Sequence, residues 1–131
     1  MKLSDKGPIQ PPPSMPGLLG RIAVEIQSWP GVIAATHWDL YRPTLPDGAD
    51  FYIGDTEIGH LHFYGEAHVA SDRTLCERFI AQGKAQPFRF RQDTSYRYWT
   101  QVTIANEKNV QDTIELFRAN YERLRLKDAV Y

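Results

Sequence analysis

The chain holds one cysteine, Cys76, so no internal disulfide can staple it. Cys76 falls within an apolar helical pattern, where a thiol serves as a small buried hydrophobe. Charge of one sign is also lacking. Fifteen basic and 16 acidic side chains leave a formal net charge of −1, which removes any global attraction to nucleic acid or an anionic membrane. No apolar run approaches the roughly 20 residues that span a bilayer. The N-terminal stretch has no apolar core of the kind found in secretion signals. No G-x-S-x-G elbow presents a serine, and no glycine-rich loop is built to cradle phosphate. A cytoplasmic protein with no membrane partner is the expectation.

What remains is ordinary for a globular protein: 131 residues, 42% hydrophobic and 24% charged, enough for one domain with a proper core. Residues 1–14 hold Pro8 and the run Pro11-Pro12-Pro13 without an apolar period, and are expected to form a flexible arm. Residues 15–131 are expected to form the domain.

Leu18, Leu19, Ile22, Ile26 and Trp29 recur at helical spacing and predict a helix over 16–29, stopped by Pro30-Gly31. A strand is predicted at 32–38, a loop with two prolines over 42–49, and a short strand at 50–53. Ser71 and Asp72 are N-cap candidates for a helix over 73–82, closed by Gly83. Residues 87–92 alternate and predict a strand with Phe88 and Phe90 in the core and Arg89 and Arg91 on the other face. A strand over 96–104 places Val102 and Ile104 on one face and Trp99 and Gln101 on the other. Asn106 or Asn109 caps the longest helix, whose stripe is Val110, Ile114, Phe117, Tyr121 and Leu124. The order α-β-β-β-β-α-β-β-α predicts an α+β fold, a single antiparallel-rich β-sheet with three helices packed on one face.

The stretch with chemistry is Glu57 to Ala70, E-I-G-H-L-H-F-Y-G-E-A-H-V-A, which carries three of the four histidines. It reads as a hairpin, and the parity of its turn decides which side chains share a face. A two-residue loop, Tyr64-Gly65, would demand positive φ at a tyrosine and would separate His68 from the other two histidines. A three-residue loop, Phe63-Tyr64-Gly65, places Gly65 at the left-handed position and gathers Leu61, Ala67 and Val69 on one apolar face. His60, His62, Glu66 and His68 are therefore predicted to share the opposite face. His37, at the end of the first strand, reads as an edge histidine near that face.

Three functional readings follow. In the first, the polar face binds a small organic ligand, anionic in character, through His60, His62, Arg89, Arg91 and Trp99. In the second, the domain is a metal-dependent enzyme. His60, His62 and His68 hold a divalent ion, and Glu66 serves as ligand or base, with His60, His62 and Glu66 as the catalytic candidates. In the third, an exposed sheet edge or aromatic face mediates homodimerisation without catalysis. Arginines interleaved with Tyr96, Tyr98 and Trp99 are able to stack bases, but the charge balance disfavours nucleic acid.

Several segments resemble the luciferase-domain family. They are W-P-G-V at 29–32, F-Y-I-G-D-T-E-I-G-H-L-H at 51–62, I-A-Q-G-K-A at 80–85, W-x-x-V-x-I at 99–104 and L-F-R-x-x-Y-E-R-L at 116–124. The resemblance implies an α+β domain of uncharacterised activity, with Gly59, His60, His62 and Trp99 as the positions carried over. It implies neither light emission nor a flavin. Members of the family carry His or Asp at the position of His68, and many have a histidine where this chain has Phe88-Arg89.

Overall fold

Helical stripes and alternating strands call for two layers, and the computed structural model, which describes residues 2–5 and 12–129, is built of them. The order is α1 (Gly17–Gln27), β1 (Val32–Trp38), β2 (Pro46–Ile53), β3 (Thr56–His62), β4 (Glu66–Val69), α2 (Arg73–Ala81), β5 (Gln86–Pro87), β6 (Thr100–Thr103) and α3 (Glu107–Ala129). All strand pairs are antiparallel, and six strands run β1-β2-β3-β4-β6-β5 across one sheet. The predicted α+β order is the observed one.

Local chemistry sets the helix ends. Asp72 Oδ1 accepts the Leu75 N–H at 2.9 Å and starts α2, and Gly83 beyond its end has φ +72. At α3 both asparagines act together. Asn106 Oδ1 accepts the Asn109 N–H at 2.9 Å, while Asn109 Oδ1 accepts the Asn106 N–H at 3.2 Å. Such a reciprocal box satisfies two otherwise orphaned donors.

The core lies between the sheet and the helices. Ile22 and Ile26 of α1 and Phe117 and Tyr121 of α3 close over Ile58, Leu61, Ala67 and Val69, all fully buried. Each large apolar side chain so buried is worth about 1.5–3 kcal/mol, so stability is concentrated on this face. At Gly59 the helix comes down hardest: an added Cβ would sit 2.9 Å from the Phe117 ring and 2.6 Å from His68 O.

The segment after α2 departs most from expectation. Only Gln86–Pro87 pairs with β6, and Pro87 brings no N–H to extend the ladder. The chain then turns back on itself, with Arg91 N–H bonded to Phe88 O and Asp93 N–H to Phe90 O, followed by a 3₁₀ turn at Thr94–Tyr96. Phe88 and Phe90 therefore do not face the helices. Phe88 is buried on the opposite face against His68, ring centroids 4.8 Å apart, and Phe90 is 60% exposed. β6 accordingly starts at Thr100, not at residue 96. β2 starts earlier than expected, at Pro46, because proline is tolerated as the first residue of a strand. Of the proline-rich arm, residues 1 and 6–11 lie outside the described residues. Leu3–Asp5 form a 3₁₀ turn against the β2–β3 connection, with Ser4 N–H bonded to Asp55 Oδ1 at 2.7 Å.

Candidate metal centre

The β3–β4 hairpin has the three-residue loop that its parity required. Gly65 has φ +96, and the pairs are Gly59 with Val69, His60 with His68, Leu61 with Ala67, and His62 with Glu66. His60, His62, Glu66 and His68 thus share the face turned away from the helices. Gln101 joins them as the β6 partner of His68.

Two backbone features bring in residues from β2 and the start of β3. Phe51 pairs with Gly59 and Tyr52 with Glu57, which leaves Ile58 as an extra residue in the ladder. This bulge puts Ile58 and Gly59 together on the core side and returns Glu57 to the histidine face. Glycine at position 48, with φ +144, is the second feature, because an added Cβ would come within 1.8 Å of Leu61 O. Gly48 pairs with His37 on one side and His62 on the other. With no side chain between them, those two rings meet over the strand, centroids 4.7 Å apart.

The result is four imidazoles, each with one nitrogen bonded to a carboxylate. His60 Nδ1 meets Glu57 Oε2 at 2.7 Å, and His62 Nδ1 meets Asp47 Oδ2 at 2.8 Å. His68 Nε2 meets Glu66 Oε1 at 2.6 Å, and His37 Nδ1 meets Asp50 Oδ1 at 2.5 Å. An ionised carboxylate only accepts, so the bonded ring nitrogen carries the proton and the other nitrogen carries the lone pair. Those lone-pair nitrogens converge. His60 Nε2 lies 3.1 Å and His62 Nε2 3.0 Å from His68 Nδ1. His37, His60 and His62 also form a group able to hold a metal ion, with one ring nitrogen from each lying within 4.8 Å of the others.

Burial sets the electrostatics. His60, His62 and His68 are 9%, 8% and 4% exposed. Burial pushes His68 down to about 4 from 6.5, against the opposing pull of Glu66. It lowers His62 in the same way, opposed by Asp47. Both rings are neutral at pH 7, with unprotonated nitrogens facing one another. Tyr52, buried and donating to Asp50 Oδ2 at 3.2 Å, keeps its phenol proton, held by burial and then by the charges of Asp50 and Glu57.

The irregular segment 88–99 covers this face. Phe88 packs on His68, Trp99 lies 5.8 Å from His60, and Tyr64 stacks on His62 at 4.7 Å. Arg89 forks onto both oxygens of Glu66, and its backbone N–H bonds Gln101 Oε1 at 2.9 Å. Arg91 is not brought to the cluster; it is exposed, and its charge is felt at Cys76 instead. A cavity of about 290 Å³ opens beside Trp99, lined also by Ser71, Thr94, Ser95, Arg97 and Tyr98. A wider cleft of about 710 Å³ between α1 and α3 lies on the helical side and touches none of the imidazoles.

Sequence reasoning did not single out Asp47, Asp50 or Glu57. The two aspartates fell in or beside a stretch read as a loop, although Gly48-Ala49-Asp50-Phe51-Tyr52-Ile53 alternates cleanly once the strand is extended. Glu57 was hidden by the bulge, which reverses its parity.

Comparison with curated proteins finds no match, and comparison with solved structures finds none either. A family model described as the luciferase domain matches residues 55–120, which include Glu57, His60, His62, Glu66, His68, Arg89 and Trp99. The segment W-P-G-V at 29–32 and the strands that carry His37, Asp47 and Asp50 lie outside the matched range. With half of its length matched, from the β3 hairpin into α3, the chain belongs to the luciferase-domain family.

Proposed function

We propose that the histidine face is a divalent-metal centre, with His60 Nε2, His62 Nε2 and His68 Nδ1 as ligands. The observation that carries the reading is the approach of His60 Nε2 and His62 Nε2 to His68 Nδ1, at 3.1 and 3.0 Å, with the far nitrogen of each ring bonded to a carboxylate. Lone pairs at that separation repel unless a cation or a shared proton lies between them. Two nitrogens each bound about 2.0–2.1 Å from a tetrahedral ion would stand about 3.3 Å apart, close to what is found. Carboxylates on the far ring nitrogens are the usual outer shell of ligating histidines, fixing tautomer and orientation. Imidazole donors suit zinc, copper, nickel or iron rather than calcium or magnesium. Three protein ligands leave a position open for water or substrate.

An organic ligand lying directly on the imidazoles is less well supported. The rings are nearly buried, and Arg89 directs one guanidinium nitrogen, Nη2, onto both oxygens of Glu66. The cavity beside Trp99, whose lining includes none of the imidazoles, is the better place for an organic group.

Elemental analysis of protein purified without chelator is expected to return one divalent ion per chain. Added Zn²⁺ raises the Tm of stripped protein, and His62→Ala abolishes both the ion and the shift. Absence of stoichiometric metal together with a Tm indifferent to Zn²⁺ sinks the reading.

A further inference from the structure

The ligand set above leaves out His37, although this ring is built into the cluster as the other three are. It comes from β1, and its Nδ1 meets Asp50 Oδ1 at 2.5 Å, so it too has a carboxylate at one nitrogen and a lone pair at the other, Nε2. Tyr52 donates to the second oxygen of Asp50 and holds that carboxylate in place. With His60 and His62 it forms the group whose ring nitrogens lie within 4.8 Å of one another. Ring positions agree. Imidazoles bound to one tetrahedral ion stand with centroids about 5 Å apart. His60, His62 and His68 are separated by 4.5–5.0 Å, and His37 stands 4.7 Å from His62 and 4.2 Å from His60. Orientation sets His37 apart. Its plane is within 11° of the His60 plane, and a lone pair lies in the plane of its ring, so the stacked ring does not aim at an ion on His60. Ligation requires the ring to tilt, and His37 is the one with room to do so. Its side chain is 22% exposed, against 11%, 10% and 6% for those of His60, His62 and His68. Gly48, its partner on β2, places no side chain in the way.

We propose that His37 is the fourth ligand, turning out of its stack on His60 to close the position that His60, His62 and His68 leave open. The proposal rests on the metal reading above. The ion is then held by four imidazole nitrogens, one from each of β1 and β4 and two from β3. A four-coordinate tetrahedral site of this kind has no place for water, and it retains its ion rather than presenting it to a substrate. Four neutral nitrogen donors suit zinc or copper.

The test loads the full chain with Co²⁺ and adds azide, a small anion that occupies an open position on cobalt. Wild type is expected to bind one equivalent and to keep the same visible spectrum when azide is added. His37→Ala is expected to retain cobalt, to change spectrum with azide, and to recover the wild-type spectrum with added imidazole, which supplies the missing ring. His37→Gln is expected to respond to azide in the same way, which guards against local collapse around the alanine. A wild-type spectrum altered by azide overturns the proposal and leaves the three-histidine site standing. So do His37 variants whose spectra match wild type and ignore azide. A wild type that takes up neither Co²⁺ nor Zn²⁺ overturns both this proposal and the metal reading beneath it.

Discussion

The two faces of the sheet are made from alternate residues of the same strands, and they are held by opposite means. On the helical face Leu61, Ala67 and Val69 are fully buried under regular helices. On the other, His60, His62 and His68 are almost as inaccessible, but beneath an irregular cover and in a net of imidazole–carboxylate bonds. Dispersion and the hydrophobic effect reward any close packing, so the first face tolerates approximate complementarity. Buried polar groups are stabilising only when each partner is met, so the second face works only with its full set of carboxylates. The comparison teaches that burial alone does not define a core. One face supplies stability, and the other uses it to hold basic nitrogens together.

Truncation on the helical side is expected to give the largest effect. Phe117→Ala should lower stability by about 3–5 kcal/mol in urea unfolding of metal-free protein. His62→Ala should cost clearly less in the same measurement. Equal losses would erase the distinction between the faces.

Mild acid should act first through the polar face. Burial lowers His68 to about 4 from 6.5, so the unfolded chain takes its proton at higher pH than the folded one. The contribution is complete above about pH 6.5 and is lost as pH falls toward 4. Stability of metal-free protein should drop by roughly 2–3 kcal/mol across that window, and His68→Gln should flatten the curve. A curve of wild-type steepness in His68→Gln would mean that other groups govern the acid limb.

Removing an orienting carboxylate should weaken metal retention without unfolding the chain. Glu57→Gln keeps a hydrogen-bonding side chain beside His60 Nδ1 but loses the charge, and Zn²⁺ affinity should fall about 10–100-fold in a chelator competition. An unchanged affinity would separate Glu57 from the centre. The smallest stability change is expected at Arg89, whose side chain is 48% exposed. Arg89→Ala should cost about 1 kcal/mol or less and should speed exchange of bound Zn²⁺ by loosening the cover, as read by stopped-flow chelation.

Much of this was legible in the strands and helices with one clear period. The stripe from Val110 to Leu124 and the caps at Asp72 and Asn106 identify their helices. The Phe63-Tyr64-Gly65 turn fixes which histidines meet. The misread segment has a physical explanation: Phe88, Arg89, Phe90 and Arg91 alternate as a strand would, but Pro87 ends the ladder and turn hydrogen bonds take over. Alternation reports where side chains point on an extended chain, and this chain is not extended there.

The sequence by itself determined the α+β order and the face shared by His60, His62, Glu66 and His68, because period and turn parity are local properties of the chain. Only the tertiary structure decided that Glu57, Asp47, Asp50 and His37 complete the cluster. Glu57 depends on a bulge whose register is set by pairing with β2, and His37 on β1 reaches His62, two strands away, across Gly48 of β2. Such contacts follow from register between strands, and register is settled by the whole sheet.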